Sequence, residues 1–155
     1  LTLPPSLSPS PPNAQTAYHY GFNQDASCLF LGSSRGYSIF NTHPFRPSLH
    51  EGVGGVGIVE MLYCTSLLAL VGAGDQAGFS PRCLKIWNTK RQASLFDVAF
   101  VSKIVAVRLN RRRLVVRPFF PSLPPSFSTN HHSYYSSLPH SLPRWHLREQ
   151  CTCLG

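Results

Sequence analysis

The chain has 155 residues, 43% of them hydrophobic and 13% charged, which suits one ordinary domain and excludes a large multidomain enzyme. Its net charge of +8, carried by eleven arginines and three lysines, favours a polyanionic partner such as an anionic membrane surface. No nucleic-acid-binding motif accompanies that charge, so nucleic acid is not an expected partner.

In chain order, residues 1–17 read as a Pro/Ser-rich irregular segment, because dense proline neither continues a helix nor pairs in a sheet. Residues 18–116 carry short β-type runs separated by turn chemistry. Cys28-Leu29-Phe30-Leu31, the turn Gly32-Ser33-Ser34-Arg35-Gly36 and Tyr37-Ser38-Ile39-Phe40 predict a hairpin. A second follows from residues 67–71, a Gly-rich loop over 72–82 and Cys83-Leu84-Lys85-Ile86-Trp87. Asn88-Thr89-Lys90-Arg91 turns the chain into a run over 93–100, and 103–109 and 114–116 open another unit. Residues 42–51 are polar, carry two prolines and give no strand signal. Residues 117–155 read as a Pro/Ser/His-rich tail, expected to be disordered. The longest apolar run, residues 58–71, is broken by Glu60, Thr65 and Ser66 and is too short to span a membrane. Five cysteines without framework spacing (Cys28, Cys64, Cys83, Cys151 and Cys153) point to a reducing, intracellular compartment.

The runs recur. Leu31-Gly32 and Val71-Gly72 stand 40 residues apart, Phe40-Asn41 and Trp87-Asn88 stand 47 apart, and Val71 and Val115 stand 44 apart. Four short strands at that period predict an all-β chain of β-propeller blades, with Phe40 and Trp87 packing between blades, each followed by a turn-forming Asn. An antiparallel sandwich with regular turns fits the same pattern and stays open.

Candidate sites are few. Gly52-Val53-Gly54-Gly55-Val56-Gly57 fits a dinucleotide fingerprint but lacks a preceding strand, and Gly72-Ala73-Gly74-Asp75-Gln76-Ala77, with Asp97 downstream, lacks the helix that would meet the pyrophosphate. Arg111-Arg112-Arg113, flanked by Arg108 and Arg117, could meet phosphates but also reads as a solvated turn. His131, His132, His140, His146, Cys151 and Cys153 show no zinc spacing. No nucleophile constellation stands out, so no enzyme activity, cofactor or metal is expected.

Several separated motifs, however, resemble one family in order. Phe22-Asn23-Gln24-Asp25, Gly36-Tyr37-Ser38-Ile39-Phe40-Asn41, Val59-Glu60-Met61-Leu62 and Leu68-Ala69-Leu70-Val71-Gly72 are similar to the opening of the PROPPIN family, the phosphoinositide-binding WD-repeat β-propellers of autophagy. The resemblance continues through Ser80-Pro81-Arg82, Asn88-Thr89-Lys90-Arg91 and Val107-Arg108-Leu109-Asn110-Arg111, covers about residues 20–116 and is strongest to the fungal autophagy-related branch. It implies an N-terminal fragment of a seven-bladed propeller, two blades and the start of a third. Its members bind phosphatidylinositol 3-phosphate and phosphatidylinositol 3,5-bisphosphate as peripheral proteins of preautophagosomal, endosomal and vacuolar membranes.

The resemblance also implies a rod-shaped lipid-transfer partner, contacted through Ser80, Pro81 and Arg82. The family's lipid site needs a Phe-Arg-Arg-Gly motif, which this chain lacks, and Arg111-Arg112-Arg113 matches a different position; the lipid-binding residues are therefore unknown and lipid binding by the chain as written is not expected. Because the pattern stops after Val116, residues 117–155 are expected to come from a frame change or unspliced sequence. The reading that competes is a generic WD-repeat interaction module without a lipid role.

Overall fold

The computed structural model describes residues 14–119, together with the backbone of a two-residue strand at Tyr135–Ser136. The segments 1–13 and 120–155 otherwise lie outside the described residues, and with them most of the predicted irregular end and tail and all four histidines and two cysteines of the discounted zinc cluster.

The described chain is all β. Strands β1 (Ala17–Phe22), β2 (Cys28–Ser33), β3 (Tyr37–Thr42) and β4 (Phe45–Glu51) form one antiparallel meander. Strands β5 (Val56–Met61), β6 (Leu67–Gly72), β7 (Cys83–Asn88) and β8 (Ala93–Ala99) form a second. Strands β9 (Ile104–Leu109) and β10 (Leu114–Pro118), with β11 (Tyr135–Ser136) beside β10, begin a third. The last strand of the sequence reading ends at Val116, whereas β10 pairs with β9 through Pro118. The first strands of successive sheets adjoin in order, β1 against β5 and β5 against β9, which arranges the sheets as blades around a common side.

Packing explains the sequence pattern. One core fills the space between the first two sheets, with Cys28, Phe30, Tyr37 and Ile39 facing Val56, Val59, Met61, Leu68, Leu70 and the loop residue Phe79. A second core joins Ile58, Ala69, Val71, Leu84 and Ile86 to Ile104, Val107, Leu114 and Val116 of the third sheet. Strand β6 therefore buries both faces, Leu68 and Leu70 on one side and Ala69 and Val71 on the other. That is why it reads as an unbroken apolar run instead of an alternating one.

Two expectations need correction. Residues 42–51 do hold a strand: β4 pairs with β3 along its length, with a register shift opposite Pro47. It is an edge strand, where proline removes no ladder bond and polar side chains meet water, so the pattern used to dismiss it is that of a tolerated edge. The glycine motif after β4 is thus preceded by a strand but followed by strand β5 instead of a helix. The aromatic pair also divides. Trp87 packs on the first core, and Asn88 Oδ1 caps its turn by accepting from Lys90 N at 3.0 Å and Arg91 N at 3.1 Å. Phe40 instead faces outward and stacks on Phe45 at 5.6 Å, and Asn41 is buried within β3.

Glycine is required at two close approaches. Gly36, at φ +155°, turns β2 into β3 where a Cβ would stand 1.9 Å from Glu51 O, and a Cβ on Gly72 would meet Phe79 O at 1.8 Å. The second contact folds the β6–β7 loop back over its own strand.

Candidate functional site

In a meander, alternate connections lie at opposite ends of the sheets, and the polar features divide accordingly. One rim carries the β6–β7 loop. Its tip is held by Tyr18 Oη, which donates to Asp75 Oδ2 at 2.9 Å and whose pKa is raised by that bond, and its base by Phe79 in the core. Ser80, Pro81 and Arg82 follow directly, fixed through their backbone: Cys83 N donates to Ser80 O at 3.1 Å, Ile104 N to Pro81 O at 2.9 Å and Phe100 N to Arg82 O at 2.8 Å. Ser80 Oγ further accepts from Arg82 N at 3.2 Å. This motif therefore ties the second blade to the start of the third. The Arg82 side chain is exposed and makes no hydrogen bond or ion pair among the described residues, so a fixed backbone presents a free guanidinium.

The opposite rim carries the turns between β1 and β2, β5 and β6, β7 and β8, and β9 and β10. Gln24 joins three of these units: its Nε2 donates to Met61 O at 2.7 Å and to Leu109 O at 2.9 Å, and its Oε1 accepts from Tyr63 N. Beside it Arg111 lies over the Tyr63 ring at 4.7 Å, and Asn110 Oδ1 accepts from Arg112 N and Arg113 N, each at 2.8 Å. With exposed Lys90 and Arg91 on the neighbouring turn, five cations share this rim, where Asp25 is the one carboxylate on the described turns. The Asp25 carboxyl is held below its usual range by hydrogen bonds from Ser27. Arg111-Arg112-Arg113 thus forms an Asx-type turn, while Arg108, grouped with it by sequence, points elsewhere and pairs with buried Glu60 of β5. Burial raises the Glu60 pKa, and Arg108 partly counters that shift. His19 stacks on Phe30 at 5.8 Å and accepts from Val59 N at 3.4 Å; burial, and then the Arg108 charge, lowers its pKa.

The third feature is the outer face of the first blade. Tyr20 (75% exposed), Phe22 (60%) and Phe45 (68%) stand on it with half-buried Leu29, Leu31 and Phe40. By strand register, Tyr20, Phe22, Leu29, Leu31 and Phe40 occupy the places that Val59, Met61, Leu68, Leu70 and Trp87 hold in the second blade, where they are packed on the first. Among the described residues no cluster of His, Cys, Asp or Glu could hold a metal, and no helix is long and apolar enough to cross a membrane.

Two consecutive four-stranded meanders, packed face to face with their first strands adjacent, define a β-propeller. Solved structures agree: Hsv2 of Kluyveromyces lactis superposes with a TM-score of 0.61 at 24% identity, over 68% of this chain and 31% of that one. KlAtg21, solved in complex with the coiled coil of AgAtg16, gives 0.54 at 34% identity, over 66% of this chain and 33% of that one. No family model matches. Among curated proteins the chain is 55% identical over 95 residues to autophagy-related protein 18 of Yarrowia lipolytica, covering 61% of this chain and 24% of the relative. It is 48% identical over 104 residues to that of Saccharomyces cerevisiae, covering 67% and 21%. The chain is a β-propeller piece similar in sequence to these proteins, which are PROPPIN β-propellers, and it spans about a fifth to a quarter of the length of these curated relatives.

Proposed function

We propose that the chain supplies the first blades of an autophagy scaffold that binds membranes containing phosphatidylinositol 3-phosphate or phosphatidylinositol 3,5-bisphosphate, and that these blades hold the rod-shaped lipid-transfer partner. The observation that carries this reading is Arg82: exposed, unpaired among the described residues, and mounted on a backbone fixed by three interblade and loop hydrogen bonds. Such a cation is ordered before a partner arrives, so recognition costs little conformational entropy. The similarity to autophagy-related protein 18 supports the setting, a peripheral protein of preautophagosomal, endosomal and vacuolar membranes. The scaffold is not an enzyme and needs no cofactor. Lipid binding belongs to a propeller that includes a Phe-Arg-Arg-Gly motif, absent here.

The test pairs flotation with binding. The chain as written should stay with soluble protein when mixed with vesicles containing 3-phosphoinositide, yet bind the purified lipid-transfer protein, and Arg82→Glu should weaken that binding roughly 10- to 100-fold. Unchanged binding by the Arg82→Glu chain would remove the assignment. A second reading, an interaction module without a lipid role, draws on the opposite rim. The structural relative KlAtg21 is solved in complex with a coiled coil, and five exposed cations on this rim suit an acidic helix surface.

A further inference from the structure

The glycine-rich connection between β4 and β5, which serves no nucleotide, lies under the tip of the β6–β7 loop. A Cβ on Gly55 would stand 2.6 Å from Asp75 Oδ2, and one on Gly54 would stand 2.3 Å from Gln76 Oε1. Consecutive residues without side chains thus make a seat for the polar side chains of the tip. Ala73 N donates to Gly55 O at 2.9 Å and fixes the near end of the tip on the same seat. From the other side Tyr18 Oη of β1 donates to Asp75 Oδ2 at 2.9 Å. The carboxylate is held between a strand of the first blade and the connection that leads out of it, while residues 74–78 stay exposed.

The tip in turn meets the partner motif. Phe79 N donates to Gln76 O at 3.2 Å and closes the far end of the tip onto the buried Phe79, next to Ser80. A Cβ on Gly74 would stand 3.5 Å from Pro81 Cγ and Cδ, so the tip backbone lies against the proline ring. An unbroken run of contacts therefore leads from Tyr18 through Asp75 and Gly74 to Pro81 and Arg82.

We propose that Tyr18 and Asp75 form a latch that closes the loop tip over Pro81, and that the closed tip, residues 74–78, extends the partner-binding surface beyond Ser80, Pro81 and Arg82. Tyr18 and Asp75 are positioning residues in this role, which rests on the partner reading of that rim. A hydroxyl donating to a carboxylate is stronger than a neutral pair, yet at an exposed site it holds a segment without freezing it. The backbone of Ser80, Pro81 and Arg82 is fixed separately by the bonds from Cys83, Ile104 and Phe100, so opening the latch frees the tip alone. A tip that is ordered in advance spares the partner the entropy of ordering it.

Hydrogen–deuterium exchange of the full chain reads the latch, and binding of the purified lipid-transfer protein reads its use. Tyr18→Phe deletes one hydroxyl; it should speed exchange of the Ala73 and Phe79 amides roughly three- to tenfold, weaken binding by a similar factor and leave the urea midpoint unchanged. Asp75→Ala should do the same, and the double variant should be no worse than either single one. Asp75→Asn, whose side-chain oxygen still accepts from Tyr18, should restore the parent behaviour. Gly55→Ala should open the latch from beneath by displacing the carboxylate. Arg82→Glu should weaken binding without changing tip exchange, which separates the motif from the latch. The latch is overturned if Tyr18→Phe and Asp75→Ala exchange as the parent does, or if their effects add. The extended surface is overturned if tip exchange rises while affinity stays at the parent value. A parent chain that binds no lipid-transfer protein removes the partner reading and the extended surface with it, while exchange still decides the latch.

Discussion

The first blade has two faces of nearly the same chemistry and opposite circumstances. Toward the second blade, Phe30, Tyr37 and Ile39 are buried; away from it, Tyr20, Phe22 and Phe45 are exposed. Register equivalence with Val59, Met61, Leu68, Leu70 and Trp87 shows that the open face is built as a blade-to-blade contact, so apolar composition alone does not tell a core from a surface. What separates the two faces is whether another sheet lies against them. Blade stability is therefore shared between neighbours, as in other repeat architectures.

The largest effect should come from attacking the seated face. Phe30 is 1% exposed, so Phe30→Ala removes a ring from the first core and should cost about 3–5 kcal/mol, enough to abolish a cooperative urea transition. The matched change on the open face, Phe22→Ser, should alter stability by no more than about 0.5 kcal/mol while lowering binding of an environment-sensitive apolar dye. Equal destabilisation by the two variants would erase the distinction between the faces.

A smaller effect sharpens the second boundary. Removing Arg108 leaves the buried Glu60 carboxylate without its ion-pair partner, and Arg108→Ala should cost about 1–3 kcal/mol near neutral pH. The pH dependence has a definite sign. Glu60 titrates above the ordinary glutamate value of 4.5 in the folded chain, so its ionisation disfavours folding as pH rises through the folded value, and loss of Arg108 enlarges that penalty. The deficit of Arg108→Ala should therefore be greater at about pH 8 than at about pH 5, read as the gap in urea midpoints. His19 acts in the opposite direction in the parent chain. Its folded pKa lies below 6.5, so the stability it contributes is present above that value and is lost as pH falls through the folded pKa.

Legibility in the sequence followed local chemistry. The hairpins of β2 with β3 and β6 with β7 were readable because glycine-containing connections bracket runs of strand formers, and the recurrence of those runs gave the propeller. Strand β4 was not, because Arg46, Pro47 and His50 belong to an edge strand whose pattern matches a loop. Strand β1 gave no separate signal, since Tyr18, Tyr20 and Phe22 alternate with His19 and Gly21 on a face left open. At the candidate sites, Ser80, Pro81 and Arg82 came from family resemblance, whereas the backbone bonds from Ile104 and Phe100 that fix them depend on the third sheet returning to that loop. Likewise the bond from Gln24 to Leu109 O crosses 85 positions, and the pairing of Glu60 with Arg108 crosses 48; no spacing rule reaches so far.

Hydrogen–deuterium exchange of the intact chain, resolved by strand, tests the central claim most directly. Strand β6, covered on both faces, should hold its amide protons longest, β2 and β3 should be intermediate, and β1 and β4 should exchange first, because one side of the first blade is open. Protection in β1 and β4 equal to that in β6 would mean that the outer face of the first blade is not open, and would contradict the account.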